Sequence, residues 1–350
     1  MRVALLLGSG NPSFGGVERH VIQLANGLIE GGHEAVVVMG HPCPVDAEHG
    51  LRTEAEQARV PVPDGRSFPR FARAALAEVR RRRPDVVHAH LTYALATGLL
   101  ARARYRIPLV HTEHFLVRKS GDRGWRGLLG AALRGRADAL IFVSRIVERE
   151  CRVAGARPTR HVIYNGTIAP PRPACRRPSN RLLYVGRLEP DKRVEVILDV
   201  VRALHTEGYS ADIVGTGSLQ TRLQQSVADL VAAGAVRFHG WQQHVAPFLA
   251  TAGALLQPAR EGLGYAAIEA IAHGVPVLAP ADSGAAEIIR LTGEGVVIDE
   301  DRRLDAWVAA ARHLSALPDA AVELPGVFHL SHMLQATMAV YEGLRGEAPA

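Results

Sequence analysis

Pro258-Ala259-Arg260-Glu261-Gly262-Leu263-Gly264-Tyr265-Ala266-Ala267-Ile268-Glu269 is the segment on which the fold of this chain turns. Leu255-Leu256-Gln257 before it suits a buried strand. Gly262 and Gly264 then suit a turn, and residues 265–272 a helix that Gly274 and Pro276 close. Such a passage leaves the amides of Gly262, Leu263, Gly264 and Tyr265 at a helix N-terminus, where a phosphate or a sugar hydroxyl is held. Glu261 and Glu269 would stand ~12 Å apart if the whole stretch were helical. That exceeds the ~5–9.5 Å between the two acids of a glycosidase, although a loop that folds back would shorten it. Two carboxylates so placed suit hydroxyls at two ends of one extended ligand, a sugar and a ribose.

Outward from this segment, short apolar runs alternate with helical patterns. In the second half the strands are expected at 181–185, 211–214, 236–239, 255–257, 275–279 and 295–298, with a helix over 193–206 and another ending at Ala233. In the first half they are expected at 3–7, 34–39, 85–89, 109–112, 139–143 and 162–164. Val17, Val21, Leu24, Ala25 and Leu28 recur at helical spacing, and Gly31-Gly32 ends that helix. Between the two series, Pro170, Pro171, Pro173 and Pro178 exclude a helix or a central strand. The expected organisation is a first domain over 1–168, a linker over 169–180, a second domain over 181–328 and a terminal helix over 329–350. This is an α/β architecture of two doubly wound, Rossmann-like domains facing each other across a cleft, with ligands at the carboxyl ends of the strands.

Composition narrows the function. The 350 residues are 47% hydrophobic and 22% charged, as in an ordinary globular chain. No stretch approaches the ~18 consecutive apolar residues of a membrane span. The apolar run that ends at Leu7 is too short for a signal peptide. A cytoplasmic protein is expected. Cys43, Cys151 and Cys175 are widely spaced and form neither a disulfide framework nor a zinc knuckle. The net charge is +6, yet only Lys119 and Lys192 are lysines, so the positive charge is carried by arginines spread along the chain. With 5% aromatic residues there are few platforms for bases, and no nucleic-acid partner is expected.

Gly8-Ser9-Gly10 and Gly215-Thr216-Gly217 lack the third glycine of a dinucleotide fingerprint, for Ser13 and Gln220 stand there. Both are expected to be tight turns. Gly15-Gly16 opens the first helix and allows a diphosphate close to its amides. In Tyr184-Val185-Gly186-Arg187-Leu188-Glu189-Pro190-Asp191-Lys192 a strand ends and a loop presents two cations that bracket a diphosphate and offset its developing charge without metal. An ordinary ion pair with Glu189 or Asp191 is the competing explanation. Asp299-Glu300-Asp301 resembles a metal-holding turn but suits a solvated one, and no metal site is expected there. His88, His90, His111 and His114 end two strands, and His90 and His114 meet if those strands are neighbours. Metal ligation would require a third ligand, and solvated or capping histidines are the commoner outcome. The basic stretch 118–136, rich in arginine around Gly121, Gly124 and Gly127, is a candidate for peripheral membrane contact, although an exposed loop leading into a helix fits its glycines better.

Taken together, these segments resemble glycosyltransferase family four, the retaining, nucleotide-sugar-dependent enzymes of the GT-B fold. The resemblance runs from Gly15-Gly16-Val17-Glu18-Arg19 to the terminal helix. It rests most heavily on Glu261 and Glu269 with seven residues between them, flanked by Gly186-Arg187-Leu188, Phe238-His239-Gly240-Trp241 and Gly274-Val275-Pro276-Val277. The resemblance implies that Arg187 and Lys192 bind the donor pyrophosphate, Glu261 the donor-sugar hydroxyls and Glu269 the ribose hydroxyls. By the same analogy the amides of Gly262, Leu263, Gly264 and Tyr265 and the Gly15-Gly16 loop complete the donor site, and the stretch containing His239 borders the base. His114 matches a histidine that leans over the donor sugar, and the terminal helix crosses back onto the first domain.

The sequence departs from the family pattern at Ala259, at Thr216 and at Ser283-Gly284-Ala285-Ala286-Glu287. The implied activity is transfer of a hexose from a UDP- or GDP-sugar to a glycan, a lipid-linked or a small-molecule acceptor. No cofactor or metal is required, and the departing diphosphate itself helps deprotonate the acceptor. A peripheral position at the inner face of the membrane fits a lipid-linked acceptor. A GT-B sugar-nucleotide epimerase and a catalytically silent nucleotide-sugar-binding partner of another transferase are the alternatives.

Overall fold

The computed structural model describes residues 1–8, 14–40, 43–57, 59–62, 67–116, 125–155, 158–168, 174–176, 179–318 and 320–346. The chain forms two compact units, Met1–Asn165 joined by Leu330–Ala350, and Gly166–His329.

The strands of the first unit are β1 (Arg2–Leu7), β2 (Glu34–Gly40), β3 (Val60–Val62), β4 (Val86–His90), β5 (Leu109–Glu113), β6 (Ala139–Phe142) and β7 (Thr159–Val162). They form one parallel sheet in the order β3-β2-β1-β4-β5-β6-β7. The inner strands are buried along nearly their whole length, from Val3 to Leu7 and from Val86 to His90. Such uninterrupted burial is what helices on both faces of a parallel sheet impose. The apolar stripe of helix Gly16–Glu30 packs into the core with Val37, Met39 and Ile141.

The edges depart from expectation. The last strand lies at Thr159–Val162 rather than 162–164, and its half-exposed Thr-Arg-His-Val pattern carries no apolar signature. β3 was not foreseen either, since Pro61 on an edge strand disguises three residues of pairing.

Unit two holds β8 (Ala174–Arg176), β9 (Arg181–Val185), β10 (Ser210–Val214), β11 (Val236–Gly240), β12 (Ala254–Leu256), β13 (Val277–Pro280), β14 (Gly295–Ile298) and β15 (Ala320–Val322). Six of these form a parallel sheet, β11-β10-β9-β12-β13-β14. β8 pairs antiparallel with β15. The proline-rich segment between the domains, expected to be a linker over 169–180, therefore contains a short strand between Pro173 and Pro178. Its partner lies well over a hundred residues away, beyond the reach of local pattern. The helix expected over 193–206 begins at Glu195, because Arg193 takes a left-handed conformation (φ 52°) after the 3₁₀ turn Pro190–Lys192. The helix expected to run to Ala233 is two, broken at Val227.

The terminal helix Leu330–Gly346 packs on helix Gly16–Glu30 within unit one. Gly27 permits the contact, since a Cβ there would fall 2.4 Å from the Leu334 side chain. Tyr341 is fully buried and its hydroxyl lies 2.6 Å from His88 Nδ1, while His88 Nε2 lies 2.7 Å from the Thr112 hydroxyl. This polar chain runs through the core, and all of its members are satisfied.

Candidate active site

In unit two the strand order reverses between β9 and β12, and the residues that follow these two strands carry the candidate site. Open parallel sheets bind ligands at such reversals. Beyond β9, the Gly186 N–H donates to the Val214 carbonyl at 3.0 Å and the Leu188 N–H to the Thr216 carbonyl at 2.9 Å. A Cβ on Gly215 would lie 1.9 Å from the Gly186 carbonyl oxygen, and one on Gly217 2.4 Å from that of Leu188. The Gly215-Thr216-Gly217 turn is thus a platform for the loop bearing Arg187. The Tyr184 hydroxyl steadies the same loop, donating to the Arg187 carbonyl at 2.8 Å.

Arg187 is half-buried, and among the described residues its guanidinium is in no ion pair. Glu189, one competitor for it, instead accepts from the Ser218 hydroxyl at 2.6 Å and the Ser218 N–H at 3.0 Å. Lys192 closes the 3₁₀ turn and donates to the Glu261 carboxylate, with Asp191 farther away at 3.9 Å. Gln257, just beyond β12, donates its amide to the other Glu261 oxygen at 3.1 Å. Lys192 and Glu261, separate motifs in the sequence, are direct partners.

The segment after Glu261 is shaped by two close approaches. Gly264 has φ 98°, and a Cβ on it would lie 2.0 Å from the Gln257 amide. Gly284 donates its N–H to the Glu261 carbonyl at 2.9 Å, and a Cβ there would lie 2.1 Å from the Gly262 carbonyl oxygen. Ser283 caps helix Gly284–Thr292 by accepting the Ala286 N–H at 3.3 Å. The departure at Ser283–Glu287 therefore retains the one glycine that this contact demands. Helix Tyr265–Ala272 starts where expected. Ile268 donates to the carbonyl of Gly264 at 3.5 Å, which starts the helix's own ladder after the amides of its first turn. Leu263 and Tyr265 are buried and anchor the turn. Glu269 lies half-buried one turn along the helix. Since residues 261–264 are not helical, the ~12 Å spacing of a continuous helix does not apply.

His239 ends up differently placed from a free base-binding side chain. Its Nε2 lies 2.7 Å from the buried Asp212 carboxylate, and its ring packs on Phe248 at 4.7 Å between centroids. Trp241 is half-exposed beyond it. Asp301, in the acidic turn weighed as a metal site, is buried and engaged by Arg193, whose Nη2 also donates to its carbonyl at 2.8 Å, and by Arg260 at 3.3 Å. Each Asp301 carboxylate oxygen thus faces a guanidinium.

In unit one, Gly15 caps helix Gly16–Glu30 in an extended conformation and, as a glycine, brings no capping side chain of its own. Gly8 precedes it, while Ser9, Gly10 and Ser13 lie outside the described residues. β4 and β5 are neighbours, which brings His90 and His114 together at their carboxyl ends, His90 Nδ1 to His114 Nε2 at 3.1 Å. His20, from the helix, joins them, its ring 4.9 Å from that of His114. The three rings are almost wholly buried. Desolvation is the chief reason that the His20 pKa falls to about 4 and those of His90 and His114 fall well below 6.5. They are therefore neither solvated nor helix-capping. His20 went unnoticed in the sequence, although it follows the Gly15-Gly16 loop by one helical turn.

Of the basic stretch, residues 118–124 lie outside the described residues. Helix Trp125–Arg134 follows, with Leu128 and Leu129 exposed. Among the described residues no helix is long and apolar enough to cross a membrane.

Two family models match the chain, Glycosyltransferase Family 4 over residues 14–168 and Glycosyl transferases group 1 over residues 171–324. A glycogen synthase of Mycobacterium tuberculosis is 29% identical, over 88% of this chain and 84% of its own. A GDP-mannose-dependent alpha-mannosyltransferase of Mycolicibacterium smegmatis is 29% identical, over 90% of this chain and 89% of its own. Among solved structures, the Anabaena HepE protein in complex with UDP and glucose superposes with a TM-score of 0.72 at 19% identity, covering 98% of this chain and 100% of the other.

Proposed function

Because the chain belongs to the glycosyltransferases that join a family 4 domain to a group 1 domain and has their two-domain GT-B fold, we propose that it is a retaining hexosyltransferase. In this reading it uses a UDP- or GDP-sugar and needs no metal. The observation that carries the proposal is the pair of cations on one short loop. Arg187 is in no ion pair among the described residues, and Lys192 bonds to Glu261 across the reversal between β9 and β12. An ammonium has three donors, so Lys192 can take a phosphate oxygen and keep Glu261 oriented. The Glu261 carboxylate, oriented by Lys192 and Gln257, has more acceptor sites than these two bonds use and takes sugar hydroxyls on them. The amides before Ile268 add partial positive charge where the diphosphate gains negative charge on departure. The leaving diphosphate accepts the acceptor proton on the same face, which gives retention without an enzymic nucleophile. The acceptor is a glycan, a lipid-linked sugar or a small molecule, met at a cytoplasmic or inner-membrane surface.

A saturation-transfer screen of UDP-, GDP- and ADP-sugars tests the donor. Binding of one nucleotide sugar, weakened in Arg187→Ala and followed by sugar transfer to an added acceptor, is the expected result. Binding that never leads to transfer or hydrolysis, or product that forms without any acceptor, overturns it.

A further inference from the structure

We propose that His20, His90 and His114 form a binding site for a zinc-class divalent cation. Each residue presents one ring nitrogen, and the three nitrogens lie within 4.8 Å of one another. Around a tetrahedral ion at ~2.1 Å from each nitrogen, neighbouring ligands stand roughly 3.4 Å apart. The His90–His114 nitrogen pair is already at 3.1 Å, so closure asks mainly for ring rotation by His20.

Two further observations point inward. His20 Nδ1 lies 3.0 Å from the Asn165 side-chain oxygen, which fixes its proton there and leaves Nε2 as a bare acceptor. This is the outer bond that metal-ligating histidines commonly make. Among the described residues, His20 Nε2 is buried and has no hydrogen-bond partner. An unpaired lone pair away from water is costly, and a cation removes the cost. An all-imidazole set selects Zn²⁺, Co²⁺, Ni²⁺ or Cu²⁺ over Mg²⁺, Ca²⁺ and Mn²⁺. Three protein ligands leave a fourth position for water or an anion.

The site shares His114 with the transferase reading but does not rest on that reading. If that reading also holds, a bound cation occupies His114 and inhibits transfer, so the ion is an antagonist rather than a cofactor.

The test is titration of untagged, metal-free, full-length protein with Co²⁺. One equivalent should give the visible d–d absorption of a tetrahedral ion, and Zn²⁺ should abolish it. His20→Gln and His114→Gln should each weaken cobalt affinity at least tenfold, while His205→Gln on the exposed surface leaves it unchanged. Zinc-edge absorption of the wild-type protein should read three imidazole nitrogens, which keeps the proposal testable if a variant does not fold. An octahedral cobalt spectrum, an oxygen-only zinc shell, or affinity unchanged in both folded variants would overturn it.

Discussion

At the scale of single residues, the site is built from small numbers of irreplaceable atoms. Arg187 should lose charge-assisted bonds of ~1.5–3 kcal/mol each when replaced by alanine, so donor use in Arg187→Ala should fall by one to two orders of magnitude or more. Steady-state kinetics with the identified donor checks this, and unchanged kinetics in a folded variant would remove Arg187 from the site. Gly284→Ala separates packing from backbone strain, because its added Cβ meets the Gly262 carbonyl oxygen at 2.1 Å. The turn after Glu261 must then shift, and donor affinity should drop about tenfold, an order-of-magnitude figure for lost positioning. The two cations and two glutamates were legible as residues in the sequence. Their partners were not, because Lys192–Glu261 and Gln257–Glu261 are contacts that only a folded sheet creates.

At the scale of elements, strands buried on both faces were the easiest to recognise. Central β9 spans the expected 181–185 with Leu182, Leu183 and Tyr184 buried, since a strand covered on both faces must be apolar through its middle. Edge strands β3, β7, β8 and β15 carry little such signal. The terminal helix was legible as a helix, yet its polar attachment was not. Tyr341→Phe should strand His88 Nδ1 in the core and lower stability by ~1–3 kcal/mol, read from the urea midpoint of unit one. An unchanged midpoint would mean the hydroxyl contributes nothing to holding this helix.

At the scale of the whole molecule, unit one is assembled from both ends of the chain. Truncation after His329 should remove Met333, Val340 and Tyr341 from the core of unit one, lowering the melting temperature of that unit while unit two retains its own transition by calorimetry. The same unit should be acid-sensitive. His20, His88, His90 and His114 have pKa values depressed by burial, His20 to about 4 from 6.5. Below pH 6.5 the unfolded chain binds protons that the folded rings refuse, so this stability is complete above 6.5 and falls as the pH drops below it, the His20 share down to about pH 4. The slope is up to ~1.4 kcal/mol per pH unit for each ring. Denaturant unfolding in chelator at pH 7 and pH 5 checks it. Transfer itself should survive EDTA, and a loss restored by manganese would refute metal independence.

The alternation of apolar runs, helical spacing and glycine turns was enough to determine two parallel-sheet units, since each of those patterns is local and repeats over a few residues. The glutamate pair and the Arg187–Lys192 loop likewise announced themselves through residue type and spacing. Which atoms meet was decided by tertiary structure alone. Strand order placed β9 beside β12 and β4 beside β5, and that adjacency joined Lys192 to Glu261 and drew His20, His90 and His114 into one buried cluster. Neither meeting leaves a mark in local sequence, because hydrogen bonding and desolvation act between side chains that are neighbours only once the sheets have formed.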